Sequence, residues 1–485
     1  MTNTSSERRR LQAGVSRVTI TPPVGIRMLG YTVQAGCSDS IERELTATAL
    51  ILTDGQTKVV LIACDIVFIQ SPHVDRIRER IGQRLRIPAT QVLINSSHTH
   101  LGPMLPGWKS ESSEQQTLQE RYVAILEESL TGLAATADAK LRPARIGAGS
   151  GNVAIGINRR EKLPTGGIII GENPDGAVDR EVSVLRVDDL GGMTLATVYA
   201  AGCHTVVLGP KTSALSPDFI GPAREIIEAA TQAPSLFLQG AAGNVNPICG
   251  IGTGGSEQSD DADRLGAMLA GETLKTWAGI RTHNRSGPRR VVQSVAAISV
   301  WDYEPLPAEC VEYLGVTCRR LTLPMAPLPD QATADQQLAD NRTARDEAVA
   351  RGDSPGALNV VQRLYEWAEL VATTVAVGKP VTRVLDVWAM RINNIAIVAV
   401  NGEAFAELSL QVKQQSPLTH TIFLGYSNGC LGYFPTPEAF AEGGMEVIDS
   451  VRNYMLPASF TPEWGPIIVK TAVELLEELT QGTCG

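Results

Sequence analysis

The chain has 485 residues, 43% of them hydrophobic and 19% charged, and a formal net charge of −10. That balance describes a globular chain able to bury a large core and counts against disorder. The acidic surplus counts against nucleic acid as a partner, since phosphate-backbone binders carry a basic footprint. No stretch reaches the roughly twenty apolar residues that span a bilayer, so no integral membrane association is expected.

Residues 1–12 read as a flexible tail: polar, closing on Arg8-Arg9-Arg10, with no apolar stretch after them to act as a secretory leader. A cytoplasmic location is expected. The eight cysteines form no CxxC pair, which fits reduced thiols. Cys64, Cys203 and Cys430 fall in or beside apolar runs, where cysteine serves as a small core residue.

Short, nearly continuous apolar runs follow, of the kind buried on both faces, and each closes in small and polar residues. Residues 59–67 include Asp65, and 92–95 lead into Ser96-Ser97-His98-Thr99-His100. Residues 194–201 lead into Gly202-Cys203-His204, and 235–239 into a glycine-rich segment ending Gly243-Asn244-Val245-Asn246-Pro247. Residues 395–400 lead into Asn401-Gly402-Glu403; 420–424 open onto Gly425-Tyr426-Ser427-Asn428 and then Tyr433. Amphipathic stretches at 116–137, 219–230, 260–278 and 464–480 predict helices between and after these strands. The alternation predicts an α/β fold, a mixed β-sheet core flanked by helices, with 13–485 as one catalytic domain. Residues 326–379, rich in Ala, Asp, Gln, Arg and Glu and broken near Gly352-Asp353-Ser354-Pro355, predict a solvated helical hairpin inserted over one sheet edge.

Polar clusters at the carboxyl ends of strands are where open α/β sheets bind ligands. Of six histidines, His98, His100 and His204 stand at such ends. Each fits either a hydrogen-bonded structural residue or a metal ligand; the two-residue spacing of His98 and His100 places both on one side of an extended strand. Glu403 fits a metal-binding carboxylate, and equally a favourable charge opening a helix over 404–414.

Taken together the motifs resemble the neutral/alkaline non-lysosomal ceramidase family. The resemblance starts at Ala13-Gly14-Val15-Ser16-Arg17-Val18-Thr19-Ile20-Thr21-Pro22 and passes through Ser97-His98-Thr99-His100-Leu101-Gly102-Pro103, Ile157-Asn158-Arg159 and Glu181-Val182-Ser183-Val184-Leu185-Arg186-Val187. It continues through Gly202-Cys203-His204, Gly243-Asn244-Val245-Asn246-Pro247 and Asn401-Gly402-Glu403, and closes between Asn428 and Thr436. It implies a zinc ion held by His98, His204, Glu403 and Tyr433, with Tyr426 the rival tyrosine. It implies catalytic roles for His100, in proton transfer, and for Arg159, as a donor to the substrate carbonyl and developing oxyanion. Asn95 and Asn158 would support loops.

Three departures shape the expected function. Asn246 stands where the family carries a serine, so a serine-centred acyl-enzyme is not expected, and Asn246 is assigned to substrate binding. The segment after Tyr433 lacks the family's tyrosines and glutamines, and the expected fold is the catalytic domain without the family's C-terminal immunoglobulin-like domain. The expectation is a zinc-dependent hydrolase cutting an amide bond of a soluble small molecule with metal-activated water. A lactonase or esterase, or a non-catalytic binding protein on the same scaffold, are the alternatives. Oligomeric state is left open.

Overall fold

Strand periodicity divides most of the apolar side chains in these runs among three cores, each run facing two of them. The computed structural model describes residues 10–31, 36–106, 112–252, 256–282, 289–303 and 313–481. Most of the expected tail, with Cys310 and Cys484, lies outside them.

The large sheet has eight strands: β1 (Gln12–Thr19), β2 (Thr46–Thr53), β3 (Lys58–Cys64), β4 (Val92–Ser96), β5 (Arg142–Asn152), β6 (Glu181–Asp189), β7 (Thr194–Ala201) and β8 (Ser235–Gln239), in the order β8-β7-β6-β5-β1-β2-β3-β4. A second sheet contains β9 (Leu314–Pro324), β10 (Thr382–Ile392), β11 (Ile395–Val400) and β12 (His420–Leu424) in chain order. Most pairings are antiparallel, but β3 with β4, β7 with β8 and β11 with β12 are parallel.

On β3, Val60, Ile62 and Cys64 face a core shared with helices, while Val59, Leu61 and Ala63 face the second sheet. On β11, Ile395, Ile397 and Ala399 face the large sheet, and Ala396, Val398 and Val400 face the outer helices. Each fully buried Ile or Leu contributes about 1.5–3 kcal/mol. The result is four layers. Helices α1 (His73–Leu85), α2 (Ser113–Ala139), α3 (Ile220–Thr231) and α4 (Ser256–Gly279) lie outside the large sheet. Helices α7 (Ala406–Gln415) and α8 (Trp464–Gln481) lie outside the second. The runs are buried on both faces as expected, but one cover is another sheet rather than helices. An apolar strand face requires an apolar neighbour and does not specify which kind.

Between β9 and β10 stand α5 (Gln331–Arg351) and α6 (Pro355–Val377). Their ends carry explicit signals: Asp330 accepts from Thr333 N, Gly352 closes α5 with a left-handed φ of 67°, and Ser354 accepts from Ala357 N before Pro355. This hairpin does not stand apart in solvent. Trp367 Nε1 donates to Leu456 O at 2.8 Å and Arg363 Nη2 donates to Asn453 O at 3.0 Å, so α6 braces the loop around Tyr454.

The two edge strands of the large sheet meet at their carboxyl ends. Gln239 N donates to Asn95 Oδ1 at 2.7 Å, and Asn95 Nδ2 reaches Gly425 O at 2.9 Å and Ser427 Oγ at 3.0 Å. Buried Asn95 thereby ties β4 and β8 to the loop after β12. The carboxyl ends of all three parallel pairs converge there.

Candidate active site

The histidine loop leaves β4 through a backbone-anchored turn. Ser97 N donates to Cys64 O at 2.8 Å and His98 N to Ile66 O at 3.0 Å, with His98 at a φ of 61°. That left-handed value is uncommon for a residue with a Cβ and marks a position held by its surroundings. The two histidines therefore converge through a turn and not through strand alternation. Thr205 Oγ1 donates to Ser97 O at 2.6 Å and Thr99 Oγ1 to Ser216 O at 2.6 Å, joining this loop to the one after β7. That second loop carries His204, whose N donates to Val245 O at 3.0 Å.

Both rings are oriented from behind. His98 Nδ1 donates to Val67 O at 2.9 Å and His204 Nδ1 to Ala242 O at 2.7 Å, which leaves each Nε2 a lone-pair donor aimed inward. Glu403, 1% exposed, places Oε2 3.4 Å from His98 Nε2 and 3.2 Å from His204 Nε2. His100 Nε2 lies 3.2 Å from His98 Nε2, and Tyr31 packs edge-on against the His100 ring. Gly30 makes room for this: a Cβ there would sit 2.4 Å from the Cβ of His100.

Burial opposes the charge on Glu403, yet His98 and His204 hold its carboxyl well below the ordinary carboxylate value. Burial, helped by Arg159, lowers His204 to about 4, and burial with His98 and His204 lowers His100 well below its usual value. Imidazole nitrogens, those of His100 and His204 shifted towards the neutral form, thus face a carboxylate. That geometry suits a cation. The ring nitrogens of His98, His100 and His204 lie within 4.8 Å of one another and could hold a metal ion. Separations of 3.2 to 3.4 Å match the edge of a tetrahedral zinc site with bonds near 2.0–2.1 Å, about 3.3–3.4 Å. The helix reading of Glu403 is not what is seen: α7 has Phe405 at its N-cap and no side-chain cap, and Glu407 occupies its first turn.

Arg159 comes from a strand, Gly156–Lys162, that pairs with Val245–Pro247. Its Nη1 is 3.2 Å from Asn246 Oδ1 and 3.4 Å from His204 Nε2, and its Nη2 donates to Tyr433 OH at 3.1 Å. Burial disfavours the Arg159 charge, but Tyr433, Glu446 and Glu403 keep the guanidinium firmly protonated. Tyr433 sits beside Glu403 in a short parallel pairing, while its hydroxyl reaches Arg159. Tyr426 donates to Glu403 Oε2 at 3.1 Å. Asn158, like Asn95, bonds loop backbone, donating to Ala177 O at 3.0 Å.

Two residues were not singled out in the sequence. Tyr454 OH donates to Glu403 Oε1. Glu446, 3% exposed, accepts from Arg159 Nε and Arg160 Nη1, each at 2.8 Å. Neither stands at a strand end; the adjacent basic pair Arg159-Arg160, which needs a counter-charge when buried, was the available signal for Glu446. A cleft lined by His98, His100, Glu403, Tyr433, Tyr454 and Arg363 opens from the site. It runs on into a groove that bears Leu29, Phe68, Leu105, Pro106 and Met455 together with the polar Gln70, Ser71 and His73.

Among the described residues no helix is long and apolar enough to cross a membrane. Two solved structures share the fold. A neutral ceramidase from Pseudomonas aeruginosa aligns with a TM-score of 0.63 at 17% identity, covering 97% of this chain and 75% of that one. A ceramidase complexed with C2 aligns with a TM-score of 0.65 at 17% identity, covering 97% and 76%. The family model described as neutral/alkaline non-lysosomal ceramidase, N-terminal, matches residues 11–273, a span that contains His98, His100, Arg159, His204 and Asn246 but not Glu403 or Tyr433. With more than half of its length matched, the chain belongs to the neutral/alkaline non-lysosomal ceramidase family, a family of amide-bond hydrolases.

Proposed function

We propose that this chain is a zinc-dependent amidase that cleaves the C–N bond of a small N-acyl compound, with residues 13–485 working as one catalytic unit. The observation that carries the reading is the convergence of His98, His204 and Glu403 from both sheets, with both Nε2 atoms within 3.4 Å of one carboxylate oxygen and both Nδ1 atoms bonded to backbone carbonyls. The core shared by the sheets supports the single-unit reading.

His98, His204 and Glu403 would hold the ion, with Tyr433 beside them. A bound zinc supplies Lewis acidity, making water a stronger nucleophile near neutral pH and drawing charge from an acyl carbonyl. Arg159 stays protonated and offers Nη1 to the oxygen on which negative charge develops, a donor already oriented before reaction. Asn246 accepts from that same nitrogen, so it positions Arg159, and any contact with substrate comes on the same side. His100 Nδ1, buried and without a hydrogen-bond partner among the described residues, is the atom at which a proton could be passed to the leaving nitrogen. The side of the groove formed by Phe68, Leu105, Pro106 and Met455 suits an acyl chain.

Elemental analysis of wild-type and H204A protein, with hydrolysis of matched amides, esters and lactones, tests the proposal. About one zinc per chain, lost in H204A together with amide cleavage, is expected. A protein that takes up no metal, or keeps full activity without it, refutes the metal reading. Faster turnover of lactones or esters than of any amide replaces the amidase with the alternative.

A further inference from the structure

The groove that continues from the cleft past Phe68 and Tyr454 carries three polar residues, Gln70, Ser71 and His73. Two of them are engaged within the protein. Gln70 Nε2 donates to Cys430 O at 2.7 Å while Gln70 Oε1 accepts from Cys430 N at 3.3 Å, and Ser71 Oγ donates to Asp75 Oδ2 at 2.5 Å. His73, which opens α1, is engaged at one ring nitrogen only. Its Nδ1 lies 2.6 Å from Arg76 Nη2 and 3.0 Å from Glu127 Oε1 on α2, and Glu127 is 5% exposed. A guanidinium nitrogen can only donate. Arg76 Nη2 carries two hydrogens and also reaches Glu127 Oε1 at 2.7 Å, so one hydrogen serves the carboxylate and the other the imidazole lone pair. Nδ1 is then the acceptor and the ring proton stands on Nε2. Arg76 Nε adds a further bond to Glu127 at 3.1 Å, which fixes the guanidinium and through it the ring. Among the described residues Nε2 has no protein partner, and it stays accessible to solvent in the groove.

The same groove bears Leu105 and Met455, so a chain lying against them passes a hydrogen-bonding atom oriented from behind. A saturated chain would take water from Nε2 and return no partner, at a cost in affinity; a hydroxyl, which both donates and accepts, replaces the water. We infer that His73 is a specificity residue, and that the groove takes N-acyl compounds whose acyl chain carries a hydroxyl group in preference to the unsubstituted chain of the same length. The inference rests on the amidase reading for turnover, but not for binding. One neutral hydrogen bond corresponds to about threefold to tenfold in affinity.

The experiment uses straight-chain N-acylethanolamines of increasing length, each with and without a terminal hydroxyl, on zinc-loaded wild type, H73F and H73Q. In wild type kcat/KM should favour the hydroxylated member by about threefold to tenfold at one chain length, mainly through KM, and should not favour it at shorter lengths. The ratio at that length should fall to one or below in H73F, which keeps a ring without its nitrogens, and be partly restored in H73Q, whose amide can place a donor near the position of Nε2. A wild-type ratio near one at every length overturns the inference, whether or not the variants fold. So does a wild-type ratio retained in H73F while both rates fall, which leaves His73 as a brace between α1 and α2. If wild type cleaves none of the compounds, the amidase reading falls, and calorimetry of the same pairs on the same proteins decides the rest. Tighter binding of a hydroxylated chain to wild type, lost in H73F, upholds the hydroxyl site; equal binding of the pair at every length refutes it.

Discussion

Removing the Glu446 carboxylate should injure both stability and activity, although the residue lies outside the histidine cluster. Its side chain is 1% exposed and takes one 2.8 Å charge-assisted bond from Arg159 and another from Arg160. Glu446→Ala strips the shared counter-charge from two buried guanidinium groups, and breaking a buried pair from one side costs about 3–5 kcal/mol. Glu446→Gln keeps the shape and one acceptor oxygen, so it should lose about 1.5–3 kcal/mol, one charge-assisted bond. The catalytic effect follows from the same geometry, because Glu446 fixes Nε of the guanidinium whose Nη1 faces His204 and Asn246. On the role proposed for Arg159, loss of a preorganised oxyanion donor lowers kcat by about a hundred- to a thousandfold. Urea unfolding gives the first quantity, and kcat on the best amide, corrected for folded fraction and zinc content, gives the second. A Glu446→Gln protein with wild-type unfolding and kcat within threefold of wild type refutes the reasoning. So would additive losses in a cycle with Arg159→Ala, since groups in direct contact should couple.

Two other perturbations follow from the described contacts. Gly30→Ala puts a methyl 2.4 Å from His100 Cβ, where backbone-anchored atoms must move; kcat/KM should fall at least tenfold while zinc content, measured by elemental analysis, stays near one. Glu228 accepts from Arg17, Ser235 N and Ser235 Oγ, and although burial opposes its charge these partners hold its carboxyl below the ordinary value. Its contribution is therefore complete above the unfolded-state value near 4.3 and is lost as pH falls through the lower folded value, so Glu228→Gln should flatten the acid limb of a stability-versus-pH curve.

Strand ends were the most legible part of the sequence. The runs at 194–201, 235–239, 395–400 and 420–424 are strands with those bounds; of the polar residues after them Glu403 and Tyr433 line the cleft, and His204 and Tyr426 stand against Glu403. A run that is apolar at every position has one structural use, burial on both faces, so its limits are sharp. The identity of its neighbours is not encoded in that pattern. Ile395 and Ala396 look alike in sequence, yet one packs toward the large sheet and the other toward α8. The long strand β10, with its mixed Thr382-Arg383-Val384-Leu385-Asp386 opening, carried no such signal. It becomes a strand because both faces of its later half are covered. Tyr454 was equally illegible: a half-polar loop gives no hint that its hydroxyl reaches Glu403 until α6 fixes the loop with Arg363 and Trp367.

The site's dependence on both sheets gives the packing between them a chemical consequence. His98 and His204 ride on the large sheet, while Glu403 and Tyr426 ride on the second, and Asn95 bonds the two at the same carboxyl ends. The spacing of ligand atoms is then set by how the sheets stack, through the core holding Leu61, Leu236, Ile397 and Leu424. Close-packed interiors transmit small displacements. A change of one methylene in that core, far from any polar group, therefore acts on the 3.2 Å approach of Glu403 to His204 and, on the proposed metal site, on metal affinity. The helical hairpin closes the same circuit from outside, since Arg363 and Trp367 hold the loop whose tyrosine steadies Glu403. An insertion that contributed only solvated surface would have no bond to that loop, and this one bonds it through Arg363 and Trp367.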